Sequence, residues 1–250
     1  MRKIDPVAAL AHALGTLGKF WPEALRIGLP WLGIVVLANA GLWWWSGGTS
    51  ASPMAEPGLA DVAVALLSLI AVSAMAMKWH RFLLRDEMPD AAGIVRLDPP
   101  LWRYAFYLAV ILFLTVFLPA LLMIMVASAA PAYIIATVIP AFLASILALR
   151  LALVLPAIAL GRRDVGFKQA LDASAFNLGP LAFLTLLNAC ILLAALLIVN
   201  TALSFVFNGA PQFAPAAMFI LALPLNLFLT LFSVSLTTSL YGFFMENRSL

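Results

Sequence analysis

Apolar residues run through this chain in unbroken blocks and do not alternate with polar ones. Residues 27–55, 104–149 and 173–245 contain no Asp, Glu, Lys or Arg, and a shorter charge-free run covers 62–77. A helix that crosses a bilayer needs about 20 apolar residues. The first run therefore holds one such helix and the two longest hold two each. The short run holds one more when extended to Leu59 and Trp79. Six spans are predicted, at about 27–46, 59–79, 103–128, 131–155, 181–207 and 213–244. Continuous runs favour helices over a barrel, whose strands alternate with a period of two. The expected fold is all-α, a single integral membrane domain over residues 1–250 with six transmembrane helices and amphipathic interfacial helices.

Two stretches outside the spans carry helical patterning. In residues 5–20, Val7, Leu10, Leu14 and Leu17 share one face, His12, Thr16 and Lys19 take the other, and Pro6 suits a first turn. This predicts a helix lying in the membrane interface. Residues 165–178 repeat the theme, with Val165, Ala170, Leu171 and Phe176 beside Lys168, Gln169 and Asp172. Both segments end at Leu-Gly (Leu17-Gly18 and Leu178-Gly179) and feed a new span, a short hint of an internal repeat. A competing reading of the N-terminus is a signal peptide cleaved near Ala38-Asn39-Ala40; the region before it is long for one.

Trp43, Trp44 and Trp45 read as an outer interfacial belt, and the following Gly-, Ser- and Pro-rich loop carries Glu56. The turn around Pro131 makes spans three and four a hairpin, with Pro119 and Pro140 expected to kink them. Ala144, Ala148 and Ala152 form a small-residue stripe that allows close helix approach, inside the monomer or against another chain.

Composition agrees with a lipid solvent. The 250 residues are 65% hydrophobic and 10% charged, against about 25% charged in soluble domains. Charge placement adds orientation. With six spans, all fourteen Lys and Arg residues fall on one side, in segments 1–26, 78–103 and 150–180 and at Arg248. The positive-inside rule then puts both termini in the cytoplasm. The single cysteine, Cys190, falls mid-span and reads as a small packing residue.

Signatures of membrane enzymes are missing. The Gly-x-Ser-Gly and Gly-x-Gly-Asp elements of intramembrane proteases do not occur. Arg85 stands where a His-x4-Asp acyltransferase motif starting at His80 needs its acid. Lys78 and Arg85 match the first spacing of lipid phosphatases, but Asp86 replaces the proline, and His12 and His80 are the only histidines. No catalytic residue, metal site or cofactor is expected, and nothing points to nucleic acid. Arg150 is the most pointed residue, with apolar runs on both sides; a charge within a span is costly and marks function by default. Two readings stay open: snorkelling to lipid phosphates, or pairing with a polar group from another span. Asn39, Asn188, Asn200 and Asn226 are uncharged polar residues in or near spans, of which Asn188 and Asn226, with Arg150, would line a hydrated path if one exists. Trp79, His80 and Arg81 read as an interfacial anchor, with Lys78 and Arg81 snorkelling. Span six carries Thr230, Ser233 and Thr237, with Tyr241, along one side.

Three stretches, Trp79-His80-Arg81-Phe82-Leu83-Leu84, Arg150-Leu151-Ala152-Leu153-Val154-Leu155-Pro156-Ala157 and Ser239-Leu240-Tyr241, resemble the bacterial polytopic inner-membrane proteins related to the glycerophosphoryl diester phosphodiesterase membrane domain. The resemblance implies about six helices with amphipathic entry segments, in the bacterial inner membrane. It concerns the membrane part only and implies no catalytic residues. The expected role is structural, accessory or lipid-organising, with basic elbows holding anionic headgroups of membrane lipids and with a protein partner or a second copy as further company. The alternative is a small transporter or channel subunit.

Overall fold

The computed structural model describes residues 3–45, 58–90, 93–94, 96–117, 120–121, 132–207 and 214–249. Most of its described residues are helical, with no strand among them. In chain order the helices are α1 (Pro6–Lys19), α2 (Trp21–Trp45), α3 (Leu59–Arg85), α4 (Leu101–Leu112), α5 (Ala132–Ala152), α6 (Val154–Ala159), α7 (Phe167–Ser174), α8 (Leu178–Phe207) and α9 (Ala214–Met245).

Among the described residues, five helical stretches are long and apolar enough to cross a membrane: Trp21–Leu42, Leu59–Arg85, Val138–Ala159, Phe167–Ala195 and Pro224–Met245. They correspond to five of the six expected spans. Of the third, the described residues hold one apolar helical stretch, Leu101–Phe117, made of α4 and a single π-helical turn, Phe113–Phe117. Residues 122–131, with the expected turn at Pro131, lie outside the described residues, as do Pro119, Glu56 with its loop, and 208–212.

α9 is the axis of the bundle. Its apolar window is 67% buried, against 17–28% for the other four. It remains one helix through Pro224. α1, α2, α3, α6 and α8 all pack against it. α2 approaches α9 closely at Gly28, where a Cβ would stand 2.5 Å from Leu227 Cδ1. The expected fourth span is split. α5 ends at Ala152 and α6 follows as a plug buried along its whole length between α3, α4 and α9.

α1 forms where expected, and the Asp5 carboxylate accepts from Val7 N and Ala8 N at its start. Its buried face differs from the expected one. Ala9, Ala13 and Leu17 are buried against the bundle, while Val7 and Leu14 are exposed. Alanines let α1 sit close on α9, so the helix docks on protein with Val7 and Leu14 outward. Ala148 and Ala152 of the alanine stripe pack against the chain's own core. Cys190, expected as a packing residue, is exposed on α8.

Candidate functional site

The polar chemistry of the molecule gathers where the C-terminal halves of α3 and α9 meet the N-terminus of α4 and α6. Ser235, Thr238 and Ser239 stand at i, i+3 and i+4 on α9, hence on one face. Each hydroxyl donates to the carbonyl four residues back, at Leu231, Val234 and Ser235. Their oxygens are then left to accept. Trp79 Nε1 donates to Ser235 Oγ at 2.8 Å. His80 Nδ1 lies 2.7 Å from Thr238 Oγ1 and His12 Nδ1 lies 2.9 Å from Ser239 Oγ. Because both hydroxyl protons are already placed, both imidazoles carry their proton on Nδ1. His80 Nε2 then accepts from the Tyr104 hydroxyl at 3.1 Å. Trp79, His80 and Tyr104 are fully buried, so these bonds satisfy groups that would otherwise be costly in a dry interior.

A charged layer adjoins this one. Lys78, 4% exposed, donates to Gly93 O at 2.6 Å and Arg96 O at 3.0 Å, with Asp98 Oδ2 at 3.6 Å. Arg81 Nη1 meets the same carboxylate at 3.0 Å. Trp31 Nε1 of α2 donates to Ile94 O, so the elbow between α3 and α4 is held from two sides. Three guanidiniums clasp the segment after α6: Arg81 donates to Ala159 O, Arg85 to Leu160 O and Arg103 to Arg162 O. Cations at these terminal carbonyls complement the negative end of α6. Arg162 donates to the Tyr241 hydroxyl and pairs with Asp164 at 2.6 Å. That bond holds the Asp164 carboxyl below the usual carboxylate range, and bonds to Asp164 and Tyr241 push the Arg162 guanidinium up.

Several expectations change here. Trp79 and His80 do not anchor at a lipid interface; both face the bundle interior. Lys78 and Arg81 do not snorkel; both are spent on the elbow and on α6. Of the two readings of Arg150, the structure agrees with pairing: its partner Ser174 is buried and lies in the apolar stretch Phe167–Ala195. Arg150 Nε donates to Ser174 Oγ at 2.9 Å and its Nη2 to Leu171 O at 2.7 Å, so it caps the C-terminal turn of α7. On span six the bridging hydroxyls are Ser235, Thr238 and Ser239; Thr230 and Thr237 only bond back to their own helix. The sequence signal was available in the i, i+3, i+4 spacing of these three. Thr230, Ser233 and Thr237 stand at similar spacing on the same helix, yet Thr230 and Thr237 bond only to their own backbone.

The asparagines divide. Asn39 and Asn226 come together, with Ser68 and Thr230, in a 380 Å³ pocket between α2, α3 and α9. Asn188 lies apart on α8, half-buried, with Oδ1 lacking a hydrogen-bond partner. The Asn200 side chain lies outside the described residues. A further cleft of 530 Å³ at the basic end is lined by Pro99, Pro100, Arg103, Ile158, Gly161 and Arg163, two cations and no carboxylate.

Chemically, the layer ties helices together. The Ser239 proton points to Ser235 O, away from His12, so the pair is not set up as a nucleophile with its base. Among the described residues, no three His, Cys, Asp or Glu side chains are grouped to hold a metal ion. No protein-family model, curated protein or solved structure matches the chain.

Proposed function

We propose that this chain is a six-span bundle of the bacterial inner membrane, with both termini cytoplasmic and a non-enzymatic, accessory or lipid-organising role. The observation that carries this reading is the Arg103–Arg163 cleft. Most basic side chains at that end are engaged with carbonyls and carboxylates of the chain itself. Arg163 is exposed and faces a cleft without a counter-charge. At the cytoplasmic surface such a cleft suits the phosphate of an anionic lipid. The six-span count and the orientation rest on the charge distribution. The membrane part of the phosphodiesterase-related proteins remains the group proposed for it, and a protein partner or a second copy fits the same accessory role.

The test is native mass spectrometry of the full chain extracted in mild detergent with dioleoylphosphatidylglycerol or dioleoylphosphatidylcholine. The anionic lipid is expected to be retained preferentially, and Arg163→Glu to reduce that retention about tenfold. Equal retention of both lipids by the wild type would remove the basis of the reading. A second reading, a small transporter or channel subunit, is favoured by one observation: Asn39 and Asn226 share a pocket within the spanning helices. It predicts that water reaches that pocket.

A further inference from the structure

The pocket between α2, α3 and α9 has a structural cause. α2 and α9 touch at Gly28 and Leu227, and the 380 Å³ space lies on the C-terminal side of that contact along α2. Its volume is in the range of small-ligand sites. Each of the three helices contributes an uncharged polar side chain: Asn39 from α2, Ser68 from α3, Asn226 and Thr230 from α9. No charged side chain lines it.

Half of the polar hydrogens of these groups are committed. Ser68 Oγ donates to Val64 O and Thr230 Oγ1 to Asn226 O, both within their own helices. Asn39 Nδ2 donates to Val35 O at 2.7 Å. What remains for an occupant is acceptor capacity on two hydroxyl oxygens and the two amide oxygens, with one N–H of Asn39 and the two of Asn226 as donors. A complementary ligand therefore both donates and accepts. It must also be uncharged, because a phosphate or carboxylate would enter the depth of the spanning helices with no counter-charge.

We propose that this pocket binds one neutral lipid through its free hydroxyl, a molecule of the diacylglycerol class. Its one hydroxyl proton goes to one of the Ser68, Thr230 and Asn39 oxygens, and its ester carbonyls accept from the Asn39 and Asn226 amides. Its chains lie along the exposed apolar flank of α2 and α3 represented by Leu37 and Leu66. A neutral hydroxyl lipid can leave the headgroup layer at far lower cost than a phospholipid, so the depth of the pocket selects for it. This inference deepens the lipid-organising reading and rests on it, but uses a different site from the Arg163 cleft.

The experiment is native mass spectrometry of the full chain titrated with 1,2-dioleoylglycerol. 1,2-Dioleoyl-3-acetylglycerol, which has no hydroxyl to donate, is the comparator. A saturable one-to-one adduct is expected with the first probe, about tenfold weaker with the second and about tenfold weaker in Asn226→Leu or Thr230→Val. Neither variant touches the buried layer around Trp79, and dioleoylphosphatidylglycerol retention should survive both. Equal binding of the two glycerides, or no diacylglycerol adduct while phosphatidylglycerol is still retained, overturns the pocket proposal and leaves the cleft reading intact. Loss of phosphatidylglycerol preference with the diacylglycerol adduct present overturns the cleft instead. A water-soluble maleimide that labels Asn226→Cys in a Cys190→Ala background in sealed proteoliposomes would also overturn the proposal, since it would make the pocket hydrated and favour transport.

Discussion

The two ends of the bundle are held by different means. At the basic end, Trp79, His80, Lys78, Tyr104 and the whole of α6 are buried, and their polar hydrogens end on named oxygens. Toward the other end, Trp44 and Trp45 are 80% and 84% exposed, and Leu37, Leu59, Phe117 and Phe205 are exposed with them. In water that second pattern would be a liability. In lipid it is neutral, because hydrocarbon solvates a leucine as well as a protein interior does, and no hydrophobic force draws helices together. Cohesion must then come from close packing of small residues and from hydrogen bonds. Those are concentrated where Ala9, Ala13, Ser235, Thr238 and Ser239 lie.

The contrast can be broken most sharply by tryptophan replacement. Trp79→Ala should lower unfolding stability in detergent by about 3 kcal/mol through a large unfilled cavity and an orphaned Ser235 oxygen, while Trp44→Ala should leave the melting temperature unchanged. Equal effects at the two sites would mean that the ends are not held differently.

Asp98→Asn comes next. It leaves Lys78 buried without its counter-charge and should cost about 3 kcal/mol. Pairing it with Lys78→Met should recover part of the loss, a coupling that a double-mutant cycle measures directly. Thr238→Val removes the acceptor of His80 Nδ1–H and should cost about 1–3 kcal/mol, again read as thermal stability. Arg150→Leu removes the cap of α7 and should cost about 1 kcal/mol, with earlier proteolysis in residues 161–177 as the local signature.

The smallest effect is a pH dependence. The bond from Arg162 depresses the Asp164 pKa in the folded chain, so as pH falls the unfolded chain takes up its proton first. The contribution of the bridge is therefore full above the unfolded-state value and fades as pH drops through the folded-state one. Asp164→Asn should flatten that acid-side slope slightly, since the pair is exposed.

Much of this architecture is legible in the charge-free runs, because lipid leaves so few ways to satisfy a backbone. What lipid does not dictate is which side of a helix meets protein. Val7 and Leu14 outrank Ala9 and Ala13 on any hydropathy scale, yet the alanines are the ones that dock. Trp79-His80-Arg81 reads identically whether the indole meets headgroups or the hydroxyl of Ser235. Deciding between them needs the partner helix, 156 residues away. Arg150 was conspicuous, but its partners Leu171 and Ser174 are set by the turn at 160–166 that folds α7 back on α5, and no pattern of spacing announces that turn.

Lys78 has a consequence for the order of synthesis. A lysine inside an apolar helix must be neutralised while the chain is still emerging, or its helix will sit poorly in the bilayer. Its oxygens come from Gly93, Arg96 and Asp98, all within the next twenty residues. The elbow that follows α3 thus delivers the counter-charge before α4 is made. The α2–α3 hairpin can settle as a complete unit, and the later helices assemble around a charge already quenched.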